Sequence, residues 1–406
     1  MTAARTASDL QPLPSRSSAF DVARFLCAIL ILVAHSDVLM GRKLSLPHEM
    51  LSVDLFFMIS GFLLYSRYQP KFAAGALPGD LAFDRLARIL PIAYMALALG
   101  VGAVLFTTPH PDRIKILAQG VAALVMAPFP SLTGRGAIAP LDFPFWTLIW
   151  EVWINLLLIF GWRWVRGPVL AALITVTGGI VLATAWHHGS LDIGYQFQTV
   201  VGGAARAGFA FCIGIVVARV AGRVSLVPRV PAGGVITALM IVLAVPVPAG
   251  LAWVYEMGTV VLVLPGLIWL GATATLPKRR VGAATLAGDL YYGVYAFHAP
   301  ALLLAVWLRD RAGWASSTWL VVPLLAAVVA FSHLVSQTFD PWARRWARAQ
   351  RERIQRSRTR WARAERPRSP RARTPRARGK LPGPRGGISG RLRPPPSGKG
   401  SPSVAS

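Results

Sequence analysis

The chain has 406 residues, 54% of them hydrophobic and only 15% charged, with a mean hydropathy of +0.51. Soluble domains average about 25% charged residues, so this composition excludes a soluble enzyme and reads as a membrane protein. Two cysteines inside apolar runs, Cys27 and Cys212, exclude a disulfide framework and a cysteine-rich zinc site. The net charge of +26 is unevenly spread, because the chain from Pro341 onward holds 20 of the 43 Lys and Arg against two acids, Glu352 and Glu365.

Residues 1–19 are expected to be a cytoplasmic segment. The first apolar run, 20–40, follows Arg5 and Arg16 but contains Arg24 and His35 and lacks a small-residue cleavage signature, so it reads as a retained helix and not a signal peptide. Further runs at 51–66, 89–107, 144–162, 168–186, 203–220, 232–248, 252–272, 290–308 and 317–338 are each about long enough to cross a hydrocarbon core of roughly 30 Å as helix. The run 114–128 is shorter. Basic residues favour cytoplasmic loops. Read backward from the tail, Lys278 to Arg280, Arg219 with Arg223 and Arg229, and Arg163 with Arg166 fall on the inside. Read forward from a cytoplasmic N-terminus, Arg67, Lys71, Arg85 and Arg88 do so. The two readings agree only if 114–128 does not cross, which makes it a re-entrant or interfacial segment. The expected fold is therefore all-α and polytopic. It has about ten transmembrane helices over 20–340, both termini in the cytoplasm of the cell membrane, and no internal repeat of the transporter kind. The tail 341–406 is rich in Pro, Arg and Gly and cannot bury a core. It reads as disordered except at its start, where Trp342, Arg345, Trp346 and Ala349 have the spacing of a basic interfacial helix.

Ionisable residues inside spans are expensive and are functional candidates by default. Arg24 and His35 are eleven residues apart, three turns or about 16 Å, so they share one face of the first helix; the plain alternative is a snorkelling Arg and a satisfied His. Asp54 begins the second helix close in depth to His35, where it is placed to orient the imidazole as a base. Ser60 and Gly61 permit close helix approach or a ligand contact. Arg85 and Arg88, three residues apart before Pro91, form a fork suited to phosphate, or else anchor the topology. Glu151 lies about two turns into its span after Trp146 and must be paired, protonated or facing water; a structural partner for it would be Arg206. His298 follows Tyr291, Tyr292 and Tyr295 on one helix as a polar lining or a packing residue. Arg206 and Glu256 both fall near outer helix ends and are expected to pair, His187 and His188 are a weak metal signal without carboxylate company, and His333 reads as structural.

In order along the chain these segments resemble the acyltransferase 3 family of membrane-bound O-acyltransferases. Arg, ten residues, His is matched by Arg24 and His35; V-D-L-F-F-x-x-S-G-F by 53–62; R-x-x-R-I-x-P by Arg85 to Pro91; W-S-L-x-x-E by Trp146, Thr147, Leu148 and Glu151; and S-Y-x-x-Y-x-x-H-x-P by Tyr292, Tyr295, His298 and Pro300. The similarity covers nearly all of 20–338. Thr147 stands in place of the usual Ser, Tyr291 where the family often has Ser, and Trp150 precedes the glutamate, departures that bear on substrate fit and remove no ionisable group. No SGNH hydrolase-like domain is seen after the last span.

The resemblance implies transfer of an acetyl or other short acyl group from acyl-CoA to a hydroxyl of a sugar or glycan of the cell envelope. The positions of these residues along the helices then make His35 the expected base or acyl relay, oriented by Asp54 or Glu151 as the further catalytic residues, with Arg24, Arg85 and Arg88 on the donor and His298, Tyr295, Trp146 and Ser60 lining the acceptor site or pathway. Acyl-CoA would be a co-substrate, with no resident cofactor or metal. The basic tail is expected to meet anionic lipid and no specific nucleic acid. A transporter or channel for an acylated or polar solute is the competing reading of the same buried polar residues.

Overall fold

The computed structural model describes residues 17–129, 136–222 and 230–364. The expected N-terminal segment before residue 17, the loop residues Arg223 and Arg229, and the expected disorder from Glu365 onward lie outside them.

Every regular element among the described residues is a helix. They run α1 (Ser18–His35), α2 (Asp37–Met40), α3 (Leu51–Ala73), α4 (Pro78–Thr107), α5 (Arg113–Leu124), α6 (Phe145–Phe160), α7 (Gly167–His188), α8 (Val200–Ala221), α9 (Ala232–Ala244), α10 (Ala252–Gly258), α11 (Leu264–Ala272), α12 (Val281–Ala312), α13 (Val321–Gln337) and α14 (Phe339–Ala364). Seven helical stretches are long and apolar enough to cross a membrane; α6 and α9 are apolar but shorter. All ten runs expected to span fall on helices. α10 and α11 make one of them, joined through a wider turn at Thr259–Val263 just before Pro265, which has no backbone N–H to give to a regular α-turn. α4 begins at Pro78, so Pro91 is inside the helix and not in its first turn as the sequence reading had it.

α5 has 12 residues, about 18 Å of helix, too short for the hydrocarbon core. The sense in which the other helices pair leads to the same conclusion. Arg24 sits against Tyr291 and His35 against His298, so α1 and α12 run parallel. Asp54 meets Arg206 and Gly61 meets Phe211, so α3 and α8 are parallel too. Arg85 meets Glu151 while Leu97 shares a small cavity with Phe145, so α4 and α6 are antiparallel. If α5 were a crossing, each of these three senses would invert.

The closest crossing is that of α3 with α8. A Cβ built on Gly61 would strike the Phe211 carbonyl oxygen, and one on Gly214 would strike the Met58 carbonyl oxygen. Both positions therefore need glycine, as in small-residue packing between membrane helices. Next to this contact the Arg206 guanidinium, 1% exposed, grips Asp54 with both ends: Nε donates to Oδ1 at 2.9 Å and Nη2 to Oδ2 at 2.6 Å. Nη2 donates also to the carbonyl of Met50 at 2.7 Å, and Nη1 to that of Ile193 at 3.2 Å.

The expected partnership of Arg206 with Glu256 does not form. One oxygen of Glu256 accepts from His48 Nδ1 at 2.9 Å, and the other accepts from the Leu191 backbone N–H at 2.6 Å and the Ser190 hydroxyl at 3.0 Å. This clasp ties the loop before α3 to α10 and to the loop after α7.

Contacts divide the chain at Ile354. Up to that point α14 packs by Ala343 and Ala347 and by an ion pair from Arg351 to Asp84 at 2.8 Å, while Trp342 and Trp346 stay exposed. In the second unit, from Gln355, the described residues are the end of α14.

Removing one partner of a buried ion pair strands the other, at a cost of about 3–5 kcal/mol. Asp54→Leu is therefore expected to lower the thermal midpoint in detergent sharply, and Asp54→Leu with Arg206→Met to recover most of it. Equal destabilisation of the single and double variants would contradict this role.

Candidate active site

Five helices converge on one cavity of about 60 Å³, room for a few waters or the end of a substrate. Its polar lining comes from Arg24 of α1, Ser60 of α3, Arg85 and Arg88 of α4, Thr147 and Glu151 of α6, and Tyr291, Tyr292 and Tyr295 of α12. The apolar wall includes Phe56, Phe57 and Leu63. The three-residue spacing of Arg85 and Arg88 puts both on the cavity face of α4, as expected from helix geometry.

Glu151 is held rather than free. Its Oε1 accepts from Arg85 Nη2 at 2.8 Å and from the Ser60 hydroxyl at 3.0 Å. This replaces the anticipated partner Arg206, which sits on the other side of α3 with Asp54. Arg85 Nε is buried and makes no hydrogen bond among the described residues, and Arg88 is exposed. Arg24 is 5% exposed, with its guanidinium 5.2 Å from the centre of the Tyr291 ring, a cation–π contact. Burial at this depth is not snorkelling. The site thus concentrates three cations against one carboxylate, the balance that a polyanion such as phosphate requires.

The cavity stops at Phe56, Thr147 and Tyr295. The Tyr295 hydroxyl and Thr147 Oγ1 lie 2.8 Å apart, and Thr147 Oγ1 donates to the Pro144 carbonyl at 3.0 Å. A threonine hydroxyl therefore does here what serine's would do. Beyond Tyr295, and outside the cavity lining, lies His298. Its Nε2 is 2.9 Å from His35 Nδ1, with the two rings edge to edge and nearly coplanar, their centres 5.1 Å apart. Phe143 meets the His35 ring edge-on at 5.2 Å.

Arg24, Arg85, Arg88, Ser60, Glu151 and Tyr295 share the cavity, with His298 and His35 immediately behind it. Asp54 does not join them. Both its oxygens accept from Arg206, no hydrogen bond joins it to His35 among the described residues, and His35 Nδ1 meets His298 instead, which corrects the expected base–orienter pair. Trp146 is buried against Gly194 and does not line the cavity. His187 and His188 end α7 with their rings in edge contact, and no cluster of metal-ligating side chains forms there among the described residues.

The sequence reading did not anticipate the His35–His298 contact, because 263 residues separate the two and periodicity is silent about which helices meet. It also passed over Asp142 in the loop before α6. This carboxyl is 2% exposed, neither oxygen has a hydrogen-bond partner among the described residues, and burial pushes it well above the usual carboxylate range. An aspartate in a loop carries no sequence signal of burial.

Comparison with known proteins agrees in extent with this architecture. The family model described as an acyltransferase domain, that of the acyltransferase 3 family, matches residues 17–337, which is the whole helical bundle without α14. A protein of Rhizobium radiobacter named protein 2 in picA locus is 31% identical over 159 residues, covering 36% of this chain and 82% of the relative. No solved structure matches the chain.

Proposed function

The chain belongs to the acyltransferase 3 family, a membrane acyltransferase, and on that premise we propose that it moves a short acyl group from acyl-CoA to a hydroxyl of a sugar or glycan. The observation that carries this reading is the continuous polar line along the α1–α12 seam. An arginine-lined cavity leads by way of Tyr295 to a pair of histidines.

Arg24, Arg85 and Arg88 bind phosphates of the donor, with the exposed Arg88 meeting them first. Glu151 keeps Arg85 in place through the 2.8 Å ion pair and limits the site's net positive charge. The pantetheine arm passes between α1, α3 and α4 and brings the thioester toward His35. There His35 deprotonates the acceptor hydroxyl, or takes the acyl group as a covalent relay. The acceptor approaches from the end of the bundle that holds His35, and Tyr295 and Ser60 line the way between. The positive-inside rule puts the arginine end and both termini in the cytoplasm of the cell membrane, where acyl-CoA is found. The exposed Trp342 and Trp346 of α14, in a strongly basic segment, then lie against anionic lipid of the inner leaflet.

The test is release of free CoA from acyl-CoA by the purified full chain in nanodiscs. Wild type is expected to release it, and His35→Ala to be slower by at least about 100-fold, the usual range for loss of a general base, with unchanged donor affinity and thermal midpoint. Retained turnover in His35→Ala removes the histidine from the reaction. Solute flux through vesicles with no binding of acyl-CoA would replace the donor assignment with transport.

Arg88→Ala is expected to weaken donor binding about tenfold, the size of one charged hydrogen bond, while leaving the thermal midpoint alone. An unchanged affinity makes Arg88 a topology anchor only. Removal of 367–406 is expected to leave turnover of the purified protein within about twofold of wild type, because that segment follows the end of α14; loss of turnover would place the tail in the reaction.

A further inference from the structure

We infer that His298 is a positioning residue that fixes the tautomer of His35 and so presents one particular ring nitrogen, Nε2, to the substrates. This rests on the reading of His35 as base or acyl relay and adds to it which atom acts and what orients it.

The argument is one of counting protons. His298 Nδ1 lies 2.7 Å from the Tyr295 carbonyl oxygen and 3.3 Å from that of Val294. A carbonyl can only accept, so Nδ1 must carry the proton. In a neutral imidazole the other nitrogen then holds a lone pair, and in His298, 1% exposed with no carboxylate against it among the described residues, the neutral form is the one burial favours. His298 Nε2 is therefore an acceptor. Its partner at 2.9 Å, His35 Nδ1, must be the donor. With Nδ1 protonated, neutral His35 has its lone pair on Nε2.

The reverse assignment fails at the first link. It would place a bare His298 Nδ1 against a carbonyl oxygen at 2.7 Å, lone pair to lone pair, or else require a buried cation. No carboxylate is hydrogen-bonded to His35 among the described residues: Asp54 pairs with Arg206, and Glu151 Oε1 accepts from Arg85 and Ser60. The ring plane is set as well as the proton, because the hydrogen-bonded His298 and His35 rings lie edge to edge and nearly coplanar, at an interplanar angle of 21°, and Phe143 abuts His35 edge-on at 85°. Phe143 is itself backed by Tyr195 at 5.3 Å.

In the direct reaction the acceptor oxygen bonds to the thioester carbonyl carbon while its proton passes to His35 Nε2. The C–S bond then breaks, and the departing sulfur takes that proton, so thioester and alcohol become ester and thiol with His35 restored. Throughout, Nδ1–H stays donated to His298. In the relay variant the same Nε2 lone pair bonds to the carbonyl carbon as the C–S bond breaks and thiolate leaves; the acceptor oxygen then bonds to that carbon as the N–C bond breaks, and its proton passes to the thiolate, so ester and thiol form and His35 is restored. Either chemistry needs the nitrogen that His298 leaves bare.

The test has two arms on the full chain in nanodiscs. The first is nitrogen NMR of 15N-imidazole histidine, assigned with His35→Ala and His298→Gln. In the wild type His35 is expected to show a protonated Nδ1 and a bare Nε2; a protonated Nε2 overturns the inference whatever the activity. The second is kinetics of CoA release. His298→Leu is expected to lower kcat about 100-fold with donor KM within about twofold, and His298→Gln, whose amide oxygen can accept from Nδ1–H, to recover at least tenfold of that. Wild-type kcat in His298→Leu, or equal losses in Leu and Gln with both proteins folded, overturns the positioning role. Absence of all acyl-CoA turnover with the expected NMR tautomer would count against the proposed reaction and leave the histidine pair standing.

Discussion

The buried ion pair of Asp54 with Arg206 is the constraint on which the rest of this bundle depends. A guanidinium that is 1% exposed persists in an apolar interior only if it is paired and hydrogen-bonded, and here a carboxylate and two backbone carbonyls give each of its three nitrogens a partner. That requirement fixes the register of α3 on α8. The glycine contacts one and two turns further along then bring the two backbones together. Since α3 also supplies Ser60 and Phe56 to the cavity, the position of the cavity wall is set by a pair of charges that never touches it.

Four carboxylates of the bundle are used structurally. Asp54 neutralises Arg206, Glu151 restrains Arg85, Glu256 closes the loop around His48, and Asp84 holds the middle of α14. What they leave is a clear division of electrostatic work. One end of the polar line has more guanidinium than carboxylate and suits an anion. The other end has two imidazoles and no acid on them among the described residues. A base without a carboxylate behind it gives up some stabilisation of its charged form, and in exchange it need not keep an ion pair desolvated while it waits for substrate.

The helices were largely legible in the sequence, because each expected span is a run of apolar residues, seven helical stretches among the described residues are long enough to cross a membrane, and hydropathy is a local property. The place of 114–128 was legible for a different reason. Two independent charge readings disagreed unless it was excluded, and the pairing senses of three helix pairs now exclude it. Motif spacing correctly grouped Arg85 with Arg88 and Arg24 with His35, since both are periodicities within one helix. It failed wherever the question was which helix faces which. Asp54 lies at the depth of His35 but on the side of α3 that turns to α8. Arg206 and Glu256 share a depth but have different neighbours, and His298 could not be told from a packing residue. Depth can be read from one chain segment, whereas azimuth depends on all the others.

The two histidines stand 263 residues apart, on the first helix of the bundle and on α12. Closing a contact over such a distance is the slow, entropically costly kind of event in folding. During synthesis α1 must wait in the lipid while the intervening helices are inserted, with its polar face satisfied by temporary neighbours. No nascent chain shorter than 298 of the 406 residues holds both imidazoles, so chemical competence cannot appear before about three quarters of the chain has been made. A break in an intervening loop need not destroy it either, since the seam joins two helices that associate through the bilayer and not through chain continuity.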